Sequence, residues 1–151
     1  MNHTIFREYD LRGEAAEDFP DDAVERLGQA YATLIKGGPV VVGRDNRLSS
    51  PRIHDALIRG LTVSGSRVID VGEVSTPMFY FARTHLKIEG GLMITASHNA
   101  APQNGLKICR GEHTMYGEQI QDFRRLAEEG QFLNGHGIVE QFDIWPTYRE
   151  M

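Results

Sequence analysis

Ser97, His98 and Asn99 put a hydroxyl, an imidazole and a carboxamide in three consecutive positions. They lie in the stretch Thr95 to Lys107, which reads Thr-Ala-Ser-His-Asn-Ala-Ala-Pro-Gln-Asn-Gly-Leu-Lys. The apolar run Leu92-Met93-Ile94 leads into it with the length and composition of a buried strand. Small and polar residues follow, with Pro102 and Gly105 among them, before Leu106 and Ile108 resume an apolar pattern. The expectation is a strand, a sharp polar loop and a second strand, and a loop on a rigid strand is a common place for reactive groups. A serine hydroxyl is a weak nucleophile unless something activates it. A histidine next in sequence is badly placed to be a hydrolase base, and the glycines of a Gly-x-Ser-x-Gly elbow are missing. Acyl transfer would also need an Asp or Glu orienting a histidine onto Ser97. Phosphate carriage suits the loop better. Phosphoserine carries about −1.5 to −2 charges near neutral pH, and His98, Asn99, Lys107 and backbone amides could surround it. An ordinary Ser-His-Asn turn is the bland alternative, since loops of this composition are common.

Two further segments are dense in charged side chains. Phe6-Arg7-Glu8-Tyr9-Asp10-Leu11-Arg12-Gly13 reads as a short strand entering a turn, or as a solvated N-terminal arm. Gly43-Arg44-Asp45-Asn46-Arg47-Leu48-Ser49 follows the β-branched run Val40-Val41-Val42. Such a run is expected of a strand covered on both faces, and its carboxyl end is where α/β proteins place ligands. A structural Arg44–Asp45 ion pair is the competing reading.

Together, these two segments and the Ser97 loop resemble the α-D-phosphohexomutases, the family of phosphomannomutases and phosphoglucomutases. The resemblance runs from about Ile5 to the C-terminus and covers the first of that family's four domains. It departs at Ala100, where the family usually has a proline that would stiffen the turn. The resemblance implies an intramolecular phosphotransferase of carbohydrate metabolism, an isomerase interconverting hexose 6-phosphate and hexose 1-phosphate. The reaction would pass through a phosphoserine and a bisphosphorylated sugar. By position, Ser97 would be the phosphoryl carrier, and His98 and Lys107 the candidates for proton transfer and charge stabilisation. Arg12 would balance phosphate charge. Tyr9, Arg12, Asn99 and Lys107 would contact the phosphosugar substrate. Mg²⁺ would sit on Ser97 through its phosphate, with its other ligands on an Asp-x-Asp-x-Asp loop of a second domain. No such triad occurs here, so activity is expected of a longer parent chain carrying the remaining mutase domains, and this chain alone is expected to be inactive. A free-standing domain that binds a phosphate or a partner without turnover is the alternative of a different class.

Composition is consistent with a single soluble domain. The chain has 151 residues, 40% hydrophobic and 25% charged, with a net charge of −5, so bulk electrostatics give no reason to expect nucleic acid or an anionic membrane. The single cysteine, Cys109, excludes an internal disulfide and agrees with a reducing, cytoplasmic setting. Within the strand-like Leu106-Lys107-Ile108-Cys109 it reads as a buried, inert thiol. No apolar run reaches the roughly 20 residues of a membrane span.

The elements that must position the loop follow from periodicity. Asp22 and Glu25 have capping-box spacing. Val24, Leu27, Tyr31, Leu34 and Ile35 then keep helical spacing up to Gly37-Gly38. Ser50-Pro51 and Thr76-Pro77 read as N-cap and N1 pairs, opening helices lined by Ile53, Ala56, Leu57 and Leu61, and by Phe79, Ala82 and Leu86. Between them run buried strands at 40–43, 67–71 and 91–94. The link from Ser97 to Gly105 is too short for a helical crossover, so 106–110 should return antiparallel as an edge strand. Residues 117–130 form a fourth helix with Ile120, Phe123 and Ala127 inward, and 131–137 a loop in which His136 is a lone surface histidine. The fold expected is α/β: a three-layer α/β/α sandwich around a mixed, mainly parallel four-stranded sheet. Residues 1–140 would be the domain, and 141–151 the start of a linker to a second domain.

Overall fold

The computed structural model describes residues 1–151. After a 3₁₀ turn at His3–Ile5 come β1 (Leu11–Glu14), α1 (Ala15–Asp18), α2 (Asp21–Leu34), β2 (Val40–Arg44) and α3 (Ser50–Val63). They are followed by β3 (Val68–Glu73), α4 (Thr76–Leu86), β4 (Gly90–Ile94) and β5 (Gln103–Arg110). The chain continues with β6 (His113–Thr114), α5 (Glu118–Glu129), β7 (Val139–Gln141) and α6 (Trp145–Arg149).

The sheet has seven strands, in the order β1-β5-β4-β2-β3-β7 with β6 on β5. It is mixed, as expected, but larger than four strands. β4, β2, β3 and β7 run parallel, while β5 returns antiparallel to β4. β5 is not an edge. β1 covers its free side antiparallel, with Arg12 opposite Gly105. This extra strand is what carries the N-terminal charged segment to the Ser97 loop.

Side chains alternate across the sheet, as a pleat requires. Val40, Val42, Val68, Leu92, Ile94, Leu106 and Ile108 belong to a core of 25 buried residues shared with α2, α3 and α5. Val41, Ile69, Val71, Met93 and Cys109 face the opposite way, into a core of nine with Phe79 and Ala82 of α4 and with Ile144. Each fully buried large side chain contributes about 1.5–3 kcal/mol. The two longest helices, α2 and α3, touch backbone to backbone. A Cβ on Gly60 would stand 2.0 Å from the Glu25 carbonyl, and one on Gly28 2.5 Å from the Leu57 carbonyl.

Three capping expectations are corrected. α2 begins at Asp21 behind Pro20, with no side-chain cap, so the Asp22–Glu25 capping box does not form. Pro20 already holds the extended backbone an N-cap needs. In α3 the N-cap is Ser49 and in α4 it is Ser75, whose hydroxyl accepts from the Met78 amide. Each proline therefore stands one place further into its helix. The loop at 131–137 lies along α3, with the Gly135 and Gly137 amides donating to the Val63 and Thr62 carbonyls. The expected linker start at 141 falls inside β7, which pairs with β3, and Ile144 beyond it is buried.

Candidate active site

β4 ends at Ile94, and its direction carries the chain out at the carboxyl end of the parallel strands. Thr95 and Ala96 are still buried, whereas Ser97 and His98 are exposed. Ser97 has φ +55°, a left-handed conformation that costs a non-glycine residue of order 1–3 kcal/mol unless its surroundings enforce it. Two sets of contacts enforce it here. The Thr95 hydroxyl accepts from the Ser97 amide at 3.0 Å, and Arg47 holds the loop from below.

Arg47 has five N–H donors, and all five are used. Nε donates to Asp45 at 3.2 Å. One terminal nitrogen donates to the Ala100 and Gln103 carbonyls at 3.0 and 3.1 Å, the other to the Ser97 and Asn99 carbonyls at 3.0 and 2.8 Å. Asp45 is fixed in turn by the Ser50 hydroxyl at 2.6 Å, and Ser50 accepts from Asn104 at 3.0 Å. Both ends of the loop are thereby tied to the start of α3. The Arg44–Asp45 ion pair, the competing reading of this segment, does not form. Arg44 lies 3.6 Å from Glu73, because alternation along β2 sends neighbouring side chains to opposite faces. Ala100 sits under the clamp, so the loop is ordered at this position without the proline.

On the other side of the loop stands Arg12, brought there by β1. It donates to Asp10 at 2.8 Å and to the Asn99 side chain at 2.8 Å. It also reaches the Ala96 carbonyl and the Ser97 hydroxyl, both at 3.3 Å. One N–H remains without a partner. Lys107 reaches the same carboxylate, with Nζ 3.8 Å from Asp10. Asp10 is buried, and with Arg47 it is a residue sequence reasoning missed. It stood within a singled-out segment, but nothing local showed that it would hold two cations brought together by the β1–β5 pairing.

Ser97, His98, Asn99 and Lys107 line one open cavity of about 800 Å³, facing Thr76 and Pro77 at the start of α4. Arg12 touches Ser97 from the cavity's margin. Tyr9 does not join them: it is 71% exposed and lines no part of the cavity. Cys109 of β5 is buried on the sheet face that α4 covers, and burial pushes its thiol up to about 11. No three His, Cys, Asp or Glu side chains come together as a metal site. Asp10 and Asp45, whose arginine partners both reach the Ser97 loop, are already held, Asp10 by Arg12 and Lys107, and Asp45 by Arg47 and Ser50.

The cavity therefore offers an exposed hydroxyl on a strained, tightly held loop, with two cations in reach and no acid paired to a histidine beside it. Residues 3–132 match the family model described as phosphoglucomutase/phosphomannomutase, alpha/beta/alpha domain I. A phosphomannomutase of Klebsiella pneumoniae is 44% identical over 131 residues, which are 85% of this chain and 83% of that protein. A phosphomannomutase/phosphoglucomutase of Pseudomonas aeruginosa is 42% identical over 148 residues, 96% of this chain and 32% of that protein. A crystal structure of a phosphoglucomutase/phosphomannomutase family protein from Burkholderia thailandensis superposes with a TM-score of 0.93 at 34% identity, over 99% of this chain and 35% of that one. The chain thus spans about a third of the length of the latter two relatives. Sequence match and superposition agree over the whole sandwich, and on them the chain belongs to the phosphoglucomutase/phosphomannomutase family, as its α/β/α domain I.

Proposed function

We propose that Ser97 is the phosphoryl carrier of a mutase that interconverts hexose 6-phosphates and hexose 1-phosphates. The observation that carries this reading is the meeting of Ser97 Oγ, Arg12 and Lys107 at one cavity mouth, with Oγ turned to solvent by its left-handed backbone. A sugar hydroxyl attacks the phosphorus of phosphorylated Ser97. The new sugar O–P bond forms as the Oγ–P bond breaks; the hydroxyl proton passes to a base, and Oγ takes up a proton to leave as the serine hydroxyl. Lys107 and His98 of the cavity are the candidates to take the sugar hydroxyl proton, since Asp45 there is held by Arg47 and Ser50. The bisphosphorylated sugar then turns over, and its other phosphate returns to Ser97 by the reverse step. Such chemistry is mostly positioning and charge neutralisation. Arg12 supplies the latter through its unpartnered N–H, and Asn99 holds Arg12 in place. Tyr9, on its exposed turn, would meet substrate only with the rest of the cleft closed over it.

The family reading implies Mg²⁺ on the transferring phosphate. The ion prefers near-octahedral oxygen ligands, held by carboxylates and phosphates with some waters. The residues here do not make such a site, because the nearby carboxylates are engaged by arginine and lysine. This chain would supply one phosphate oxygen on Ser97, and the other ligands would come from protein outside these 151 residues. The phosphosugar itself would need further walls too, since the cavity is open.

A coupled assay tests the proposal. This chain is joined to the remaining two thirds of the Pseudomonas aeruginosa relative and assayed with glucose 1-phosphate, a sugar bisphosphate activator and Mg²⁺. Turnover is expected, and Ser97→Ala should lower it by on the order of 10³-fold or more, as removal of a covalent carrier does. Undiminished turnover in Ser97→Ala would refute the assignment.

A further inference from the structure

Arg47 and Arg12 both approach the Ser97 loop, but they are spent differently. Arg12 keeps one N–H free, and its contact with Ser97 Oγ is long at 3.3 Å. Arg47 keeps none. Four of its donors go to the carbonyls of Ser97, Asn99, Ala100 and Gln103, and the fifth goes to Asp45. Its side chain is 13% exposed, so it borders the cavity without offering a donor to it. Four carbonyls pointing at one guanidinium also fix the peptide planes that follow Ser97, Asn99, Ala100 and Gln103. With the Thr95 hydroxyl on the Ser97 amide, this leaves residue 97 little choice but the left-handed region, where Oγ faces solvent.

We infer that Arg47 is a positioning residue for phosphoryl transfer: it acts on Ser97 through the loop backbone and binds no phosphate itself. The inference rests on the mutase reading for its purpose, but the clamp can be observed without it. A lysine could not replace this arginine. Three ammonium donors cannot span four carbonyls, and the planar fork would be lost.

The test uses the 151-residue chain with Arg47→Ala and Arg47→Lys. Amide exchange is followed at Asn99 and Gln103, whose N–H groups donate to Ala96 and Ala100 within the loop. The Ser97 carbon shifts report its left-handed backbone. Both variants should exchange about tenfold faster or more at these two amides and lose the left-handed shift, while amides of α2 and β2 stay protected. Guanidinium ion at sub-denaturing concentration should restore protection in Arg47→Ala. A titration with inorganic phosphate should show no Arg47-dependent binding beyond what loop disorder explains, so that guanidinium restores it together with the loop. Unchanged exchange and shifts in Arg47→Lys would overturn the inference. So would an unchanged loop with weakened phosphate binding, which would make Arg47 a ligand. If Arg47→Ala does not fold, Arg47→Lys decides, and unfolding of both would overturn it too, because the residue would then be holding the domain. Clamp-dependent protection alongside no phosphoryl uptake from a sugar bisphosphate by unsubstituted Ser97, in this chain joined to the remaining two thirds of the Pseudomonas aeruginosa relative with Mg²⁺ present, would retire the mutase reading and leave the clamp standing.

Discussion

Asp10 shows how much of this site rests on one small carboxylate. It lies 2.8 Å from Arg12 and 3.8 Å from Lys107, and without it two cations would face each other half-buried. Asp10→Ala should destabilise the chain by about 1–3 kcal/mol, the cost of stranding a buried charged partner, measured as a shift in the urea midpoint. It should also release Arg12 from the loop. Cys109 is the opposite kind of residue. Its thiol is raised to about 11 by burial, so at pH 8 little thiolate exists. Iodoacetamide should leave folded protein unlabelled and modify Cys109 promptly in urea. Rapid labelling of the folded chain would place the thiol at the surface. The buried cysteine and the exposed polar loop after β4 were both legible in the sequence, because strand composition and polar punctuation are local signals. Asp10 and Arg47 were not assigned roles. Their meaning depends on partners far along the chain, and no spacing encodes a meeting made by sheet pairing.

At the scale of elements, β1 decides whether the N-terminal charges belong to the site. It approaches β5 so closely at Gly105 that a Cβ there would stand 2.0 Å from the Leu11 carbonyl. Gly105→Ala should therefore push β1 away, cost about 1–3 kcal/mol or more by overpacking, and separate Arg12 from Ser97. Chemical denaturation reads the first effect, and loss of the Arg12–Asn99 contact in a structure of the variant reads the second. The strand–helix alternation was legible from buried runs and helical stripes, and so was the antiparallel return after the loop. β1 was not. Four residues with a glycine and two charges carry no strand signature of their own, and they are extended because β5 offers a free edge. The helix starts were displaced for a related reason. Pro20, Ser49 and Ser75 took the cap positions that nearby residues of equal local merit could have held.

Across the whole molecule, a second polar cluster lies away from the cavity and ties β7 to the sheet. His54 of α3 is buried, with Nε2 3.0 Å from Asp70 of β3, and Asp55 is 3.1 Å from its other nitrogen. Asp70 also accepts from the Gly72 amide and from Gln141 of β7. Burial alone would lower the His54 pKa, but Asp70 and Asp55 outweigh it and raise it above 6.5. Burial likewise raises Asp70, and His54 with the Gly72 amide outweighs it, leaving Asp70 below 3.8. Stability from a raised histidine is fully present below its unfolded value of 6.5 and is lost as pH climbs through the raised value. Stability from a lowered aspartate is present above 3.8 and is lost as pH falls through the lowered value. The urea midpoint should therefore fall as pH rises above 6.5, and His54→Gln should flatten that fall, whereas an equal fall in the variant would assign it elsewhere. None of this touches the chemistry, whose central claim is that the phosphoryl group travels on Ser97. The most direct measurement is the location of that group. This chain, joined to the rest of a relative and exposed to a sugar bisphosphate, is digested and its phosphorylated peptide mapped by mass. The account predicts one phosphoryl group on Ser97 that leaves on adding glucose 1-phosphate, and none in Ser97→Ala. A phosphoryl group on His98, or turnover that survives with Ser97 never modified, would contradict it.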